Sequence, residues 1–290
     1  MQLLLVIQAF FEQFIQSAAT LIKVLLLSKS NEKPPVPKHN ELVILGNGPS
    51  LKDFLTYHRK FLKDKASLAV NHFADSDTFV EIQPDYYLIN VPEFWTDNVD
   101  DDVRQRRDKL VKNIIEKTQW QMTLFLGVGA KKSKLWQDIS KQNKQINIYY
   151  LNPTPVAGYA WFRHFCYRKQ CGMPRPHNVL IPSLLMSINM QFGKIFITGA
   201  DHNWMKELFV ADDNTVYLTQ KHFYDLQTAR PDVMKKTGKG KRKMHEILIK
   251  FVHSFAGYFD INNYAKSQNV RIINITPDSF IDAFERMKLD

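Results

Sequence analysis

Cysteine is nearly absent. The 290 residues hold two, Cys166 and Cys171. Two thiols cannot build a disulfide framework or a zinc quartet, and they suit free thiols in a reducing compartment. Acid is also short. Lys and Arg total 39 against 29 Asp and Glu, leaving +10 and a pI near 9.4. That balance favours anionic partners such as acidic lipid headgroups or phosphorylated substrates. Nucleic acid is set aside, because no nucleic-acid fold signature accompanies the charge. No Lys or Arg precedes Lys23, so the apolar amino terminus lacks the opening expected of a secretory signal. Also missing are a Gly-Lys-Ser/Thr P-loop, a full G-x-G-x-x-G, an internal repeat and an extended low-complexity tract.

What is present centres on residues 41–51, ELVILGNGPSL. Leu42 to Leu45 is a short apolar run that reads as a buried strand. It ends in Gly46-Asn47-Gly48-Pro49-Ser50. The glycines permit close backbone approach, and Ser50 fits the N-cap of a helix through Leu51, Phe54 and Leu55. A strand, a Gly-rich turn and a helix N-terminus together make an anion site at the carboxyl edge of a sheet. The plainer alternative is a tight turn with no ligand.

Residues 1–30 place Glu12, Gln13, Gln16, Thr20 and Lys23 on one side of a helix. Leu4, Phe11, Phe14, Ile15, Ala18, Ile22 and Leu25 fall on the other. This is an amphipathic pattern, with more polar residues than a membrane-crossing helix tolerates. The expectation is a helix lying in a membrane interface or docked on a partner. Residues 31–40, with Pro34, Pro35 and Pro37, read as a stiff linker. The main domain is then 41–290.

Within it, strands alternate with helices. Strands are expected at 68–70, 86–89, 122–126, 146–150, 194–198 and 271–275. Helices are expected at 103–117, 179–192, 245–266 and 279–286. The acidic run 97–102 reads as first-turn charge ahead of the helix at 103. The fold class is therefore α/β, a Rossmann-like, mostly parallel sheet covered by helices. Asn47, Asn71, Asn90 and Asp201 each follow a separate apolar strand. In such a sheet those ends share one edge, where amide groups suit a base, ribose or phosphate.

Residues 201–225 are rich in acids, histidines and aromatics with weak periodicity. They read as a functional loop, the start of a lid over about 201–243. Asp201, His202, His222 and Tyr224 could supply acid–base groups or bonds to a leaving phosphate. The run 235–243, KKTGKGKRK, could meet acidic headgroups or a polyanionic acceptor.

Gly46-Asn47-Gly48-Pro49-Ser50-Leu51 resembles bacterial sialyltransferases of glycosyltransferase family 42, and the wider group of motility accessory factor glycosyltransferases and pterin diphosphokinases. Val70-Asn71-His72-Phe73 and Asn90-Val91-Pro92 resemble its next motifs. Ser183 opens the helix before Ile195–Asp201, which resembles its Gly-x-Asp strand. His253-Ser254, a helix, a strand and Thr276-Pro277-Asp278-Ser279 resemble its closing block. The likeness is motif-level and gapped, and it covers 41–288.

The resemblance implies transfer of a sialic or related nonulosonic acid from a CMP-activated donor to a glycan or lipid-linked acceptor. It implies no metal and no cofactor beyond the CMP-sugar donor. Gly46, Asn47, Gly48, Ser50, Asn71, Asn90 and Ser183 would contact nucleotide, and His253 would be the base. His202-Asn203-Trp204 replaces the family's tyrosines after Gly-x-Asp, and His222 beside Tyr224 competes for the base role. The expected setting is polysaccharide synthesis at the inner face of the cell membrane, with attachment through 1–30 and 235–243. A homo-oligomer stays open. Two rival classes remain: an ATP- and magnesium-dependent phosphotransferase with Asp201 and Asp213 as ligands, and a scaffold with a vestigial nucleotide site.

Overall fold

The computed structural model describes residues 2–29, 33–225, 227–236 and 240–290. The expected linker residues 31 and 32, and residues 237–239 of the basic run, lie outside these.

Helix α1 (Gln2–Leu27) is followed by β1 (Glu41–Leu45), α2 (Leu51–Tyr57), β2 (Ala66–Val70), α3 (Thr78–Ile82), β3 (Tyr86–Ile89), α4 (Asp101–Lys117) and β4 (Met122–Gly127). Next come α5 (Lys134–Gln137), α6 (Ile139–Gln142), β5 (Ile146–Leu151), α7 (Ala160–Arg168), α8 (Leu180–Asn189) and β6 (Lys194–Thr198). Five short strands follow: β7 (Leu208–Val210), β8 (Val216–Leu218), β9 (Asp232–Val233), β10 (Lys235–Lys236) and β11 (Gly240–Lys241). The chain closes with α9 (Met244–Ser267), β12 (Arg271–Asn274) and β13 (Glu285–Arg286).

Eight strands form one sheet in the order β13-β12-β6-β1-β2-β3-β4-β5, and every pairing is parallel. The expected Rossmann-like α/β class is what forms. Central strands buried on both faces explain the continuous apolar runs. In β1, Leu42 and Ile44 enter one core while Val43 and Leu45 enter the other. The first core takes Tyr167 of α7, Leu184 of α8 and Ile261 of α9. The second takes Phe54 of α2, Phe79 of α3, Ile114 of α4 and Trp136 of α5. Asp101 and Asp102 sit in the first turn of α4, as the acidic run suggested.

From β1 the chain builds outward through β2 to β5, then returns to lay β6 on the other side of β1. The gap above the carboxyl ends of β1 and β6 is thus the topological switch point, where open α/β sheets bind ligands.

Three expectations are corrected. Residues 279–286 are not helical. The Ser279 hydroxyl donates to the Ala200 carbonyl (2.7 Å), the Phe280 N–H to the Asp201 carbonyl (2.9 Å), and Glu285–Arg286 pairs with β12. These long-range bonds outweigh the local periodicity. His253-Ser254 does not precede a helix but lies inside α9. The helix expected at 179–192 ends at Asn189.

Helix α1 docks through polar residues. Thr20 is buried, and its hydroxyl donates to the Ala157 carbonyl (3.1 Å) and accepts from the Ala157 N–H (3.0 Å). Ser17 accepts from the Tyr159 N–H (3.1 Å), where Gly158, at φ +101°, leaves no room for a Cβ against Ser17. The apolar side is left outward, with Leu4 71% and Leu25 74% exposed. By length and composition Leu4–Leu27 is nevertheless long and apolar enough to cross a membrane, which the polar residues of the sequence argue against.

Between β6 and α9 the chain forms an antiparallel sheet, β7-β8-β9, and the β10-β11 hairpin. Val216 and Leu218 share a small core with Ile247 and Phe251 of α9, with Trp204, Leu208 and Met234 packed against it.

Candidate functional site

The turn after β1 rests directly on the turn after β6. The Gly46 N–H donates to the Thr198 carbonyl and the Gly48 N–H to the Gly199 carbonyl, both at 2.8 Å. A Cβ on Gly48 would fall 2.0 Å from Oδ2 of Asp201, so only glycine fits there. Ser50 donates its hydroxyl to Asp201 Oδ2 (2.9 Å) and its N–H to Asp201 Oδ1 (3.3 Å). It makes no side-chain cap bond to α2. Ser50 thus stands at the N-cap position the sequence suggested, but its side chain is given to the Asp201 carboxylate and not to the helix. Desolvation raises the Asp201 pKa, against the opposing bonds from Ser50.

The strand-end asparagines come together by lacing adjacent strands. The Asn47 Nδ2 donates to the Val70 carbonyl at the end of β2 (2.9 Å). Asn71 adopts left-handed backbone at φ +47°, and its Oδ1 accepts the Asn90 N–H (3.5 Å). Asparagine tolerates that conformation better than most residues. The Oδ1 of Asn47 is buried with no hydrogen-bond partner. Nearby strand ends carry two more such atoms, Thr198 Oγ1 on β6 and Asn274 Nδ2 on β12. A buried amide or hydroxyl without a partner is costly, so such atoms mark a place completed from outside.

The 221–225 turn reaches this edge. The Phe223 N–H donates to the Asn47 carbonyl (2.9 Å), and its ring lies 5.5 Å from that of Phe73. His222 Nδ1 lies 3.0 Å from Asp225 Oδ2, and its ring stacks on Tyr224 at 5.1 Å. Desolvation pushes the Tyr224 phenol up. Phe223 packs on the core that contains Phe73 and Ile89, whereas α9 packs into the opposite core. The turn that carries His222 and the helix that carries His253 therefore pack on opposite faces of the sheet.

His253 projects from the middle of α9, its ring stacked on His177 at 5.4 Å. Desolvation, then the charge of Arg175, lowers its pKa. His202 is held at φ +50°, with Nδ1 2.9 Å from the Tyr258 hydroxyl and its ring stacked on Trp204 at 4.2 Å. Desolvation drops its pKa to about 3, which keeps this imidazole neutral. Ser183 is fully buried in the first turn of α8, and its hydroxyl donates to the Val179 carbonyl (2.8 Å). Asp213 is occupied by the Thr215 N–H (2.9 Å) and hydroxyl (2.8 Å). Among the described residues, no three His, Cys, Asp or Glu side chains converge as metal ligands.

Sequence reasoning missed Arg175, His177 and Lys250, and took Arg242 only as part of the basic run 235–243. Their charges act on one another around the His177–His253 stack. Two signals were available. Pro174-Arg175-Pro176-His177-Asn178 stands directly before an apolar helix, with an asparagine of N-cap type. Lys250 and His253 are three apart on one helix, hence on one face.

No family model matches the chain, and no curated protein matches it. Among solved structures it is similar to a MAf glycosyltransferase from Magnetospirillum magneticum AMB-1. The two are 9% identical with a TM-score of 0.48, over 96% of this chain and 38% of that one. A likeness this distant says nothing about activity, and the chain spans well under half the length of that protein.

Proposed function

We propose that the chain is a glycosyltransferase that takes a sugar from a nucleotide-activated donor, with a CMP-linked nonulosonic acid as the favoured donor. The observation that carries this reading is the buried, unpartnered Asn47 Oδ1 at the switch point of a parallel sheet. An amide oxygen there calls for an N–H or O–H from a ligand, which a cytosine amino group or ribose hydroxyl supplies. Asn71 and Asn90 on the neighbouring strands extend the same polar edge. The motif-level resemblance to sialyltransferases supports the donor class. His253, kept neutral by desolvation and flanking positive charge, would take the acceptor hydroxyl proton as the new bond forms. His222 and Tyr224 would stand on the phosphate side. The acceptor would be a glycan or lipid-linked saccharide.

The outward apolar side of α1 supports residence in a membrane interface, with Ser17 and Thr20 bonded to the protein body. The cytoplasmic face is the setting where such donors and free thiols coexist.

A thermal-shift screen of CMP, CDP, UDP, GDP and ATP tests the nucleotide reading. CMP should stabilise the parent most, and Asn47→Ala should weaken its affinity about tenfold. Stabilisation by ATP and magnesium alone would move the protein to the phosphotransferase class.

A further inference from the structure

We propose that Arg175, His177, Arg242 and Lys250 form a binding site for a phosphate-type oxyanion at the mouth of α8, beside His253. The site deepens the transferase reading, and rests on it only for the identity of the molecule that carries the oxyanion.

Three basic side chains, Arg175, Arg242 and Lys250, each act electrostatically on His177. Arg242 also acts on Lys250, and the carboxylate acting on Lys250 is Glu93. Like charges held together in a folded protein repel unless something negative sits among them. A solvated basic face would keep its donors in water, but here two ring or guanidine nitrogens are out of it. His177 Nε2 and Arg242 Nε are both buried with no hydrogen-bond partner. Leaving such groups unpaired is expensive, and an oxyanion accepts from both.

The backbone adds to the same field. Asn178 Oδ1 accepts from the Leu180 (2.9 Å) and Ile181 (3.3 Å) N–H groups, fixing the start of the ten-residue helix α8. The positive end of that helix therefore opens beside His177. Arginine favours forked contacts to phosphate, with lysine as a point charge. The His177 imidazole, held at about pKa 4 by desolvation and Lys250, would gain a proton once the oxyanion arrives.

The test titrates inorganic phosphate into the full chain at constant ionic strength, with NMR of labelled histidines as the readout. Phosphate should raise the apparent pKa of His177. Arg242→Gln and Lys250→Gln should each weaken phosphate about tenfold or more while the melting temperature stays near the parent's. Two variants guard against one failing to fold. If chloride gives the same shifts at equal ionic strength, or phosphate gives none, the site is refuted.

CMP separates the sources. If CMP displaces phosphate, and Asn47→Ala abolishes the displacement, the oxyanion is the nucleotide's. If CMP and phosphate bind together, the site serves a phosphate on the acceptor. Phosphate binding without any nucleotide binding upholds this site and sinks the nucleotide reading.

Discussion

Gly48→Ala tests the contact between the β1 and β6 turns. The new methyl group would stand 2.0 Å from Asp201 Oδ2 and 2.7 Å from the Gly199 carbonyl oxygen. The carboxylate can swing away, but it then abandons the Ser50 hydroxyl and N–H. Losing a hydrogen bond to a charged group costs about 1.5–3 kcal/mol. The carbonyl is main chain in the turn after β6 and has no side-chain rotamer to swing through, and overpacking of this kind costs about 1–3 kcal/mol. The expected loss is therefore about 3–5 kcal/mol, a large share of the ~5–15 kcal/mol typical of a folded domain. Urea unfolding should show a lower midpoint with an unchanged slope. Asp201→Ala removes one collision partner, so in the double variant the two losses should fall short of additive by at least ~1 kcal/mol. A Gly48→Ala protein within about 0.5 kcal/mol of the parent would refute the geometry, since that is the range of an ordinary surface change.

The remaining expectations concern catalysis, attachment and pH. His253→Ala should lower single-turnover rates at saturating donor by about 10²–10⁴-fold with nucleotide affinity near the parent's, and His222→Ala by less. The reverse ranking would transfer the base role to His222. The full chain should sediment with anionic liposomes, and removal of residues 1–38 should abolish this; a full chain that stays in the supernatant removes the membrane from the reading. His202 and His177 hold pKa values of about 3 and about 4, below the ordinary 6.5, with desolvation the first cause in each. The unfolded chain protonates these groups first, so their contribution is complete above about pH 6.5 and is lost as pH falls through 4 towards 3. Unfolding free energies flat between about pH 7 and 4.5 would contradict both assignments.

The strands were readable because each is a short, fully buried apolar run flanked by polar or glycine residues. Leu42–Leu45, Tyr86–Ile89 and Lys194–Thr198 all appear where the sequence pattern puts them. Residues 279–286 misled because Phe280 and Phe284 carry helical spacing, while the bonds that hold the segment reach back to Ala200 and Asp201. Ser50 is of the right chemical type for a cap, but its partner lies 151 positions away. No local pattern reveals that. The asparagines were legible as strand ends, though their lacing of β1, β2 and β3 was not. The pairing of His177 with His253 exists only once α8 and α9 pack, so each looked like an isolated imidazole in the sequence.

Among its contacts, the segment between β6 and α9 meets two different parts of the protein. Its small sheet is fastened to α9 by a shared apolar core around Val216, Leu218, Ile247 and Phe251. Its tip meets the strand edge through the Phe223 N–H to the Asn47 carbonyl and the contact with the Phe73 ring. His222 and Tyr224 sit in this tip, whereas His253 and Lys250 belong to α9, which packs into the main core through Tyr258, Ile261 and Tyr264. The two imidazoles are thus carried by separate parts of the fold, so the tip can be altered without touching the helix that holds His253.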